Sequence, residues 1–334
     1  MIIGKNGKRY STVGFNCFAL PEIRKGIELI GNWRLRQKAK AGILTILLVW
    51  TAFATPDEIR KIMEKPEKEI DVGRAVLILS KDAFPEIGIE QGCKLFDNMA
   101  RGVQAIIDGS KDEVSTAHKR IGALNTFLYR PGPWNQAGPN KNMVFTYDES
   151  SVEHVQPKAL FVPHMIYEQK GTCSTMPTLW YIIADRLGWP VNVVRGPGHL
   201  WVRYKGEKQG NIEATANGGF IPDSQYIKDM QISKEAIRKG VYMKPLTKKE
   251  FLATLMVNNA FYNVLSVEDS AKAIEYLEIA VKYDERNAEA LSSLGHLTGN
   301  NEMIEKARDM GLTNHRYSQE FYEKRKKDLQ KKGN

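Results

Sequence analysis

Apolar residues recur every third or fourth position through much of residues 55–129, a spacing typical of helices that bury one face. One such stripe lies between residues 85 and 109 and consists of Phe96, Met99, Ala100, Val103 and Ile107. The same spacing predicts further helices over residues 70–79 and 113–129. We interpret these stripes as hydrophobic core and assign residues 55–130 to a helical region.

The pattern changes after residue 130. Residues 130–142 are rich in proline, glycine and asparagine, which predicts a long connection. Beyond it the sequence predicts one helix and three short strands, at residues 174–188, 191–195, 199–204 and 211–215. The loops between the strands are short, so antiparallel pairing is expected.

The last two strands are predicted to form a hairpin with His199 directly opposite Glu213 and Trp201 opposite Asn211. Side chains alternate between the two faces of a strand, so this register brings the imidazole and the carboxylate together. A shift of two residues would keep both on one face, whereas a shift of one would separate them.

From residue 248 onward the pattern is helical again. Helix pairs are predicted over residues 251–265 with 268–283, and over residues 288–297 with 301–311. The residues from Ala273 to Leu294 resemble the junction between tetratricopeptide repeats. Fewer than three clear repeats are visible, so residues 248–334 are interpreted as a tetratricopeptide-like tail and not as an independent solenoid.

Residues 41–54 form a short apolar run after a basic cluster and end on Ala52-Phe53-Ala54. A basic flank, an apolar core and small residues at the end are typical of a secretory signal, so residues 1–54 are interpreted as an N-terminal extension plus a signal-like segment. We expect export to the periplasm or medium after cleavage near Ala54, with initiation near Leu35 as one account of the long extension. The alternatives are a chain anchored by residues 41–54, and a cytoplasmic protein in which this run is a core helix.

Composition excludes some classes of protein. A hydrophobic fraction of 42% in 334 residues is enough for a sizeable core, which excludes a disordered chain. The net charge is +9, but residues 1–54 hold nine basic and two acidic residues and the remainder has 39 and 37. No nucleic-acid partner is therefore predicted. Cleavage would leave only Cys93 and Cys173, too few for a disulfide framework.

Three residues carry candidate chemistry. Cys173 is predicted at the start of a helix, where the helix dipole and unpaired N–H groups favour a thiolate. His199 enters a strand after a tight turn, and Glu213 is an acid in a strand otherwise suited to burial. Thiol, imidazole and orienting acid are the parts that a cysteine acyl-transfer enzyme needs. A Glu213→Gln change is expected to be milder than loss of the other two, because the amide keeps the size and an acceptor oxygen.

Secondary candidates surround these three. The backbone N–H of Cys173 and the side chain of Gln169 are candidate oxyanion donors. Trp134, Trp201, Asp223 and Tyr226 are candidate residues of the cleft, although Trp134 is equally suited to cover the core, and Asp223 and Tyr226 also fit a turn acid and a packed tyrosine. One thiol among widely spaced ligands of mixed type does not predict a metal site, and no cofactor is expected.

The chain resembles the transglutaminase-like superfamily in its SirB1-type branch. The resemblance rests on Gly171-Thr172-Cys173, the helix end at residues 184–191, Pro197 to Tyr204 and Asn211 to Thr215, with further support upstream at residues 125–129 and 147–148. It implies an α+β fold with a papain/transglutaminase-like core, in which the helix carrying the cysteine packs on a small antiparallel sheet. The core covers residues 131–230, and helices precede and follow it.

The resemblance also implies roles for the three residues. Cys173 would be the nucleophile, His199 the base and Glu213 the orienting acid, although glutamate stands where the wider superfamily usually has aspartate. The predicted function is a cysteine enzyme that acts on peptide or amide bonds of a protein or peptide through a thioester, with hydrolysis favoured over crosslinking. The alternative is a non-catalytic interaction module, and the tail is a candidate surface for a protein partner. No membrane contact is expected in the mature form.

Overall fold

A computed structural model describes residues 55–110, 115–132, 144–151, 156–206 and 210–312 of the protein. The signal-like segment, Trp134 and the last part of the tail lie outside the described residues. Among the described residues, no helix has both the length and the hydrophobicity that a membrane span requires. Small sheets sit among many helices, which is consistent with an α+β class.

The N-terminal region consists of four helices, α1 Thr55–Glu64, α2 Val72–Leu79, α3 Ile89–Gly109 and α4 Thr116–Tyr129. Local caps fix two of their starts: the Asp71 carboxylate accepts from the backbone N–H of Arg74, and the Ser115 hydroxyl accepts from that of His118. The stripe expected in α3 is largely buried, which confirms its assignment to the core. The helices predicted over residues 70–79 and 113–129 are found with slightly later starts, at the positions that these caps define.

The central part contains two short helices and two sheets. Helix α5 spans Val162–Glu168 and α6 spans Thr175–Arg186; strand β1, Thr146–Tyr147, pairs in parallel with β2, Lys170–Gly171. The second sheet consists of β3 Val191–Gly196, β4 His199–Tyr204 and β5 Asn211–Ile212, in the antiparallel order β3-β4-β5. Helix α6 is buried along almost its whole length and packs on this sheet.

The pairing between β4 and β5 differs from the predicted register by two residues. Arg203 lies opposite Asn211 and Val202 opposite Ile212. The connection between β4 and β5 is longer than expected, because the backbone N–H of Tyr204 donates to the carbonyl of Gly210 (2.7 Å). A shift of two preserves the face on which each side chain lies.

The C-terminal part is helical and begins with α7 Asp223–Asp229 and α8 Lys234–Arg238. Longer helices follow, with a π-helical turn at Asn263–Val267 after the first of them: α9 Lys248–Tyr262, α10 Ser270–Tyr283, α11 Ala288–Thr298 and α12 Asn301–Asp309. Thr247 and Glu250 form a reciprocal capping box at the start of α9, and Asn287 caps α11. The four long helices predicted from residue 251 onward are thereby found, with ends that differ by a few residues.

A buried ion pair joins the sheet to these helices. Arg195 Nη1, on β3, donates to Asp284 Oδ2 (2.7 Å) and to Thr254 Oγ1 (2.8 Å). The side chains of Arg195 and Asp284 are only 2% and 1% exposed. The apolar core is also continuous, since one cluster runs from Ile59 to Leu294. The helices after residue 247 therefore pack as part of the same body as the sheet.

We expect Asp284→Ala to lower the free energy of unfolding by about 3–5 kcal/mol, because it leaves the Arg195 guanidinium buried without its ionic partner. Urea unfolding measures the loss. Glu235→Ala, which removes an acid from the exposed pair with Arg238, is the control and should leave the unfolding midpoint unchanged. Equal midpoints for both variants and the parent protein would contradict the expectation.

Candidate active site

Cys173 lies in the first turn of the helix that continues as α6. The backbone carbonyl of Thr172 accepts from the N–H of Met176, so helical hydrogen bonding begins at Thr172. The Thr172 hydroxyl accepts from the N–H of Thr175 (3.3 Å), and the Thr175 hydroxyl accepts from the N–H of Thr172 (2.8 Å). This reciprocal cap orients the turn, and the Cys173 side chain remains half-buried at the helix terminus.

Gly171 allows this turn to pack closely on the preceding helix. A Cβ atom there would lie 2.4 Å from the Met176 side chain and 2.8 Å from the Met165 sulfur. Both distances are too short for a side chain, so the glycine before Thr172-Cys173 is a packing requirement.

His199 is the first residue of β4 and follows a two-residue turn. Gly198 has a φ of 63°, which favours glycine, and the turn reverses the chain so that Gly196 pairs with His199. Cys173 Sγ donates to the carbonyl oxygen of Gly198 at 3.5 Å. The turn therefore brings the histidine next to the thiol.

Glu213 holds the other side of the imidazole. His199 Nε2 lies 2.8 Å from Glu213 Oε2, and because a carboxylate only accepts, Nε2 carries the hydrogen. The same oxygen accepts from the Tyr226 hydroxyl (2.8 Å), while Oε1 accepts from the backbone N–H (3.0 Å) and hydroxyl (2.6 Å) of Thr215. Four donors thus fix a carboxylate that is 3% exposed.

The strand predicted over residues 211–215 ends early, and this is how Glu213 reaches His199 despite the shifted register. Glu213 caps a 3₁₀ turn at Ala214–Ala216 instead of continuing β5. Asn217 and Gly218 then take positive φ values, and the chain returns so that the Glu213 N–H donates to the carbonyl of Gly219 (2.7 Å). The curl directs the carboxylate toward the start of β4.

Asn125 on α4 supports this curl. Its Nδ2 donates to the carbonyl of Gly218 (3.0 Å), and its Oδ1 accepts from Trp180 Nε1 of α6 (3.0 Å). One amide therefore joins the helix that follows Cys173 to the loop that positions Glu213. The sequence had indicated Asn125 only as part of a short motif, without a contact for it.

The ionisation of the site follows from these contacts. Burial alone would lower the pKa of His199, but hydrogen bonds with Cys173 and Glu213 outweigh it and raise the pKa to about 10. Burial alone would raise the pKa of Glu213, but hydrogen bonds from His199, Thr215 and Tyr226 lower it. Since Nε2 is bonded to Glu213, Nδ1 is the ring nitrogen that remains for Cys173. At neutral pH the arrangement favours an imidazolium between a carboxylate and a thiol.

Gln169 ends α5 with a φ of 58°, and its backbone carbonyl accepts from the Thr146 N–H (3.0 Å). Its side-chain Nε2 is buried and has no hydrogen-bond acceptor among the described residues. A buried amide N–H without an acceptor is costly, which makes this donor available for a ligand.

Two of the four candidate cleft residues are buried, so neither lines an open cleft. Trp201 has no exposed surface and Tyr226 is 3% exposed; their rings stack with centroids 4.0 Å apart. The pair lies under His199, at centroid distances of 6.2 and 6.3 Å from the imidazole. Alternation had placed Trp201 on the same strand face as His199, but that face is covered by α7, which carries Tyr226.

Asp223 is exposed and lies in a polar cluster beside the sheet. It accepts from Arg203 Nη2 (2.5 Å) and from Asn211 Nδ2 (2.7 Å). These bonds tie the start of α7, and hence Tyr226, to β4 and β5. Trp134 lies outside the described residues.

Comparison with known proteins gives a family match over the part that contains these residues, and two relatives. The family model described as transglutaminase-like superfamily matches residues 94–256. UPF0162 proteins from two strains of Xylella fastidiosa are each 18% identical over 184 residues, which is 55% of this chain and 56% of each relative. The match thus spans little more than half the length of these relatives, and no solved structure matches significantly. Cys173, His199 and Glu213 all lie within the segment that resembles the transglutaminase-like superfamily.

Proposed function

We propose that the protein is a cysteine enzyme that cleaves amide or peptide bonds of a protein or peptide through a thioester on Cys173, with His199 as base and Glu213 as orienting acid. The observation that carries the proposal is the His199 imidazole, which is bonded to the buried Glu213 carboxylate at 2.8 Å and follows Gly198, whose carbonyl accepts from the Cys173 thiol. Packing alone does not require a buried carboxylate to accept hydrogen bonds from four donors, one of which is a histidine.

The chemistry proceeds in two steps. Cys173 Sγ first gives up its proton, which leaves a thiolate beside the His199 imidazolium. The thiolate attacks the carbonyl carbon of the substrate, and the proton held by His199 passes to the leaving amine as the C–N bond breaks. Water then gives a proton to His199 as its oxygen attacks the thioester, the C–S bond breaks, and the carboxylic acid is released with the thiolate and imidazolium restored. Transfer to a second amine instead of water would give crosslinking, and we favour hydrolysis.

The proposed oxyanion donors are the backbone N–H of Cys173 and Nε2 of Gln169. The absence of an acceptor for Gln169 Nε2 among the described residues supports this role, since a donor directed at a transition-state oxygen is unpaired before substrate binds.

We further propose that the chain is of the SirB1 type, with a tetratricopeptide-like tail. The consecutive packing of α9 on α10 and of α11 on α12 supports a repeat-like arrangement of helix pairs. Export after cleavage near Ala54 and a protein partner for the tail stay predictions from the sequence.

Alkylation of Cys173 tests the proposed ionisation. The pKa of His199, about 10, keeps its charge on the ring through neutral pH, and this charge stabilises a thiolate. We therefore expect iodoacetamide to modify Cys173 at pH values well below those at which an ordinary thiol reacts. In His199→Ala the reaction should move to the range of an ordinary thiol. Peptide mapping by mass spectrometry after short reaction times identifies the modified cysteine and gives its rate at each pH.

Cys93 provides the internal control. Burial raises the pKa of its thiol, and its side chain lies in the core, so it should remain unmodified while the protein is folded. An ordinary pH dependence for Cys173, unchanged by His199→Ala, would contradict the thioester mechanism and favour the interaction module.

A further inference from the structure

The turn before His199 is bonded to the C-terminal helices through the side chain of Glu289. The backbone N–H of Gly198 donates to Glu289 Oε1 at 3.0 Å, across 91 positions of sequence. Glu289 lies in the first turn of α11 and is 4% exposed. The N–H and the carbonyl of Gly198 have separate partners, since the carbonyl accepts from Cys173 Sγ.

This contact restricts the glycine that sets the geometry of the site. Gly198 has no side chain to limit rotation about its own φ and ψ, and rotation there would move both its carbonyl and the start of β4. A hydrogen bond to a buried carboxylate is stronger than one between neutral groups, because the acceptor is charged. The bond therefore fixes the peptide plane on the N-terminal side of Gly198.

Glu289 is itself held rigidly. Asn287 caps α11 by accepting from the N–H of Ala290 (3.1 Å), and the positive end of the helix favours a carboxylate in the first turn. The Asp284–Arg195 pair ties the connection before α11 to β3. Because β3 continues into the Gly198 turn, the carboxylate and the turn are anchored to a common support.

We propose that Glu289 is a positioning residue for the Cys173–His199 pair. This rests on the proposed function. Glu289 does not touch the reacting atoms; it acts through Gly198, whose carbonyl faces the thiol and whose successor is the histidine. The helical tail thereby completes the site, and its packing determines the distance between imidazole and sulfur.

Loss of the Glu289 carboxylate should misplace Cys173 and His199 relative to each other without affecting substrate binding. In Glu289→Ala we expect kcat on a peptide amide to fall by about 10- to 100-fold with KM nearly unchanged, because small misplacements of reacting groups have effects of this size. Glu289→Gln keeps an acceptor oxygen for the Gly198 N–H and should recover kcat to within about threefold of the parent, since a neutral acceptor loses only the added strength of the charge.

The second readout is the rate of Cys173 alkylation as a function of pH, which needs no substrate. Glu289→Ala should move the half-maximal pH toward that of His199→Ala, and Glu289→Gln should restore it. The matched control is Glu250→Ala, which removes another mostly buried acid of the tail, one that pairs with Arg286 and accepts from the backbone N–H of Thr247 at the start of α9. It should lower stability and leave the alkylation profile unchanged.

The outcomes separate the two proposals. If the profile of Glu289→Ala coincides with that of the parent protein while the variant is folded by circular dichroism, the positioning role is overturned. If Glu250→Ala shifts the profile as much as Glu289→Ala, the effect is one of general stability and the role is likewise overturned. If no amide is cleaved by the parent protein, the enzyme proposal fails, but a profile that depends on Glu289 still supports its control of the pair.

Discussion

Cys173→Ala should abolish amide cleavage and leave the protein folded. The substitution removes the sulfur that forms the thioester, and loss of the nucleophile in a cooperating group of this kind lowers kcat by about 10⁴-fold or more. The side chain is half-buried and small, and its hydrogen bond is a weak one to a backbone carbonyl, so little packing is lost. The measurement is release of amine from a peptide or amide substrate, with circular dichroism to verify folding.

Cys93→Ala is the matched control for this experiment. Cys93 is a buried core residue of α3 and is separate from the site, so its loss should lower stability slightly and leave turnover per folded molecule unchanged. Full activity in Cys173→Ala would reject the thioester mechanism and would favour a transglutaminase-like core that serves as a binding module.

Helices and the longer strands of this protein could be predicted because each depends on neighbouring residues. The run from Ala273 to Val281 has helical spacing and forms α10, and His199–Tyr204 is the strand that its alternation predicts. The three candidate residues could be identified from the sequence for the same reason, since each lies in a short motif. A hairpin was expected to bring His199 and Glu213 together, and these two side chains do meet, although Glu213 reaches the imidazole from the turn after β5.

The curl at Glu213 could not be predicted in this way. Asn211 to Thr215 has the composition of a strand, but Asn217 and Gly218 reverse the chain, and Asn125 on a distant helix holds the reversal. The sequence near Glu289 does not indicate its contact with Gly198 either. An acid at a helical position is usually exposed, and nothing in the neighbouring residues predicts that this one is buried. Tertiary packing decides such cases.

The burial of Trp201 has the same origin. Alternation correctly places it on the face of His199, but only the position of α7 determines whether that face is open. The imidazole of His199 therefore packs on an aromatic pair, Trp201 and Tyr226, that is buried from solvent. Cys173, by contrast, is half-buried, and Gln169 Nε2 has no acceptor among the residues that the structure describes.

Glu213→Gln should inactivate the protein almost as fully as loss of the histidine, which revises the milder effect expected from sequence. The backbone N–H of Thr215 requires an acceptor at the position of Oε1, so the oxygen of the new amide must face Thr215. Its NH₂ group then takes the position of Oε2 and directs a hydrogen at His199 Nε2. A neutral imidazole must accept there, which places its own hydrogen on Nδ1 and removes the base that faces Cys173. The wrong tautomer in a comparable triad lowers kcat by about 10⁴-fold.

Tyr226→Phe is the control that makes this expectation specific. It removes one of the two donors to Oε2 but keeps the carboxylate, the ring and its stacking on Trp201. We expect a decrease in kcat of less than about tenfold, since only one hydrogen bond to a carboxylate is lost. Nitrogen NMR of the His199 ring distinguishes these states directly: the parent protein and Tyr226→Phe should carry hydrogen on both ring nitrogens at neutral pH and keep it on Nε2 once the ring is neutral, whereas Glu213→Gln in its neutral form should carry it on Nδ1. An unchanged ring in Glu213→Gln, together with activity close to that of the parent protein, would show that Glu213 does not set the tautomer, and the third member of the proposed site would be lost.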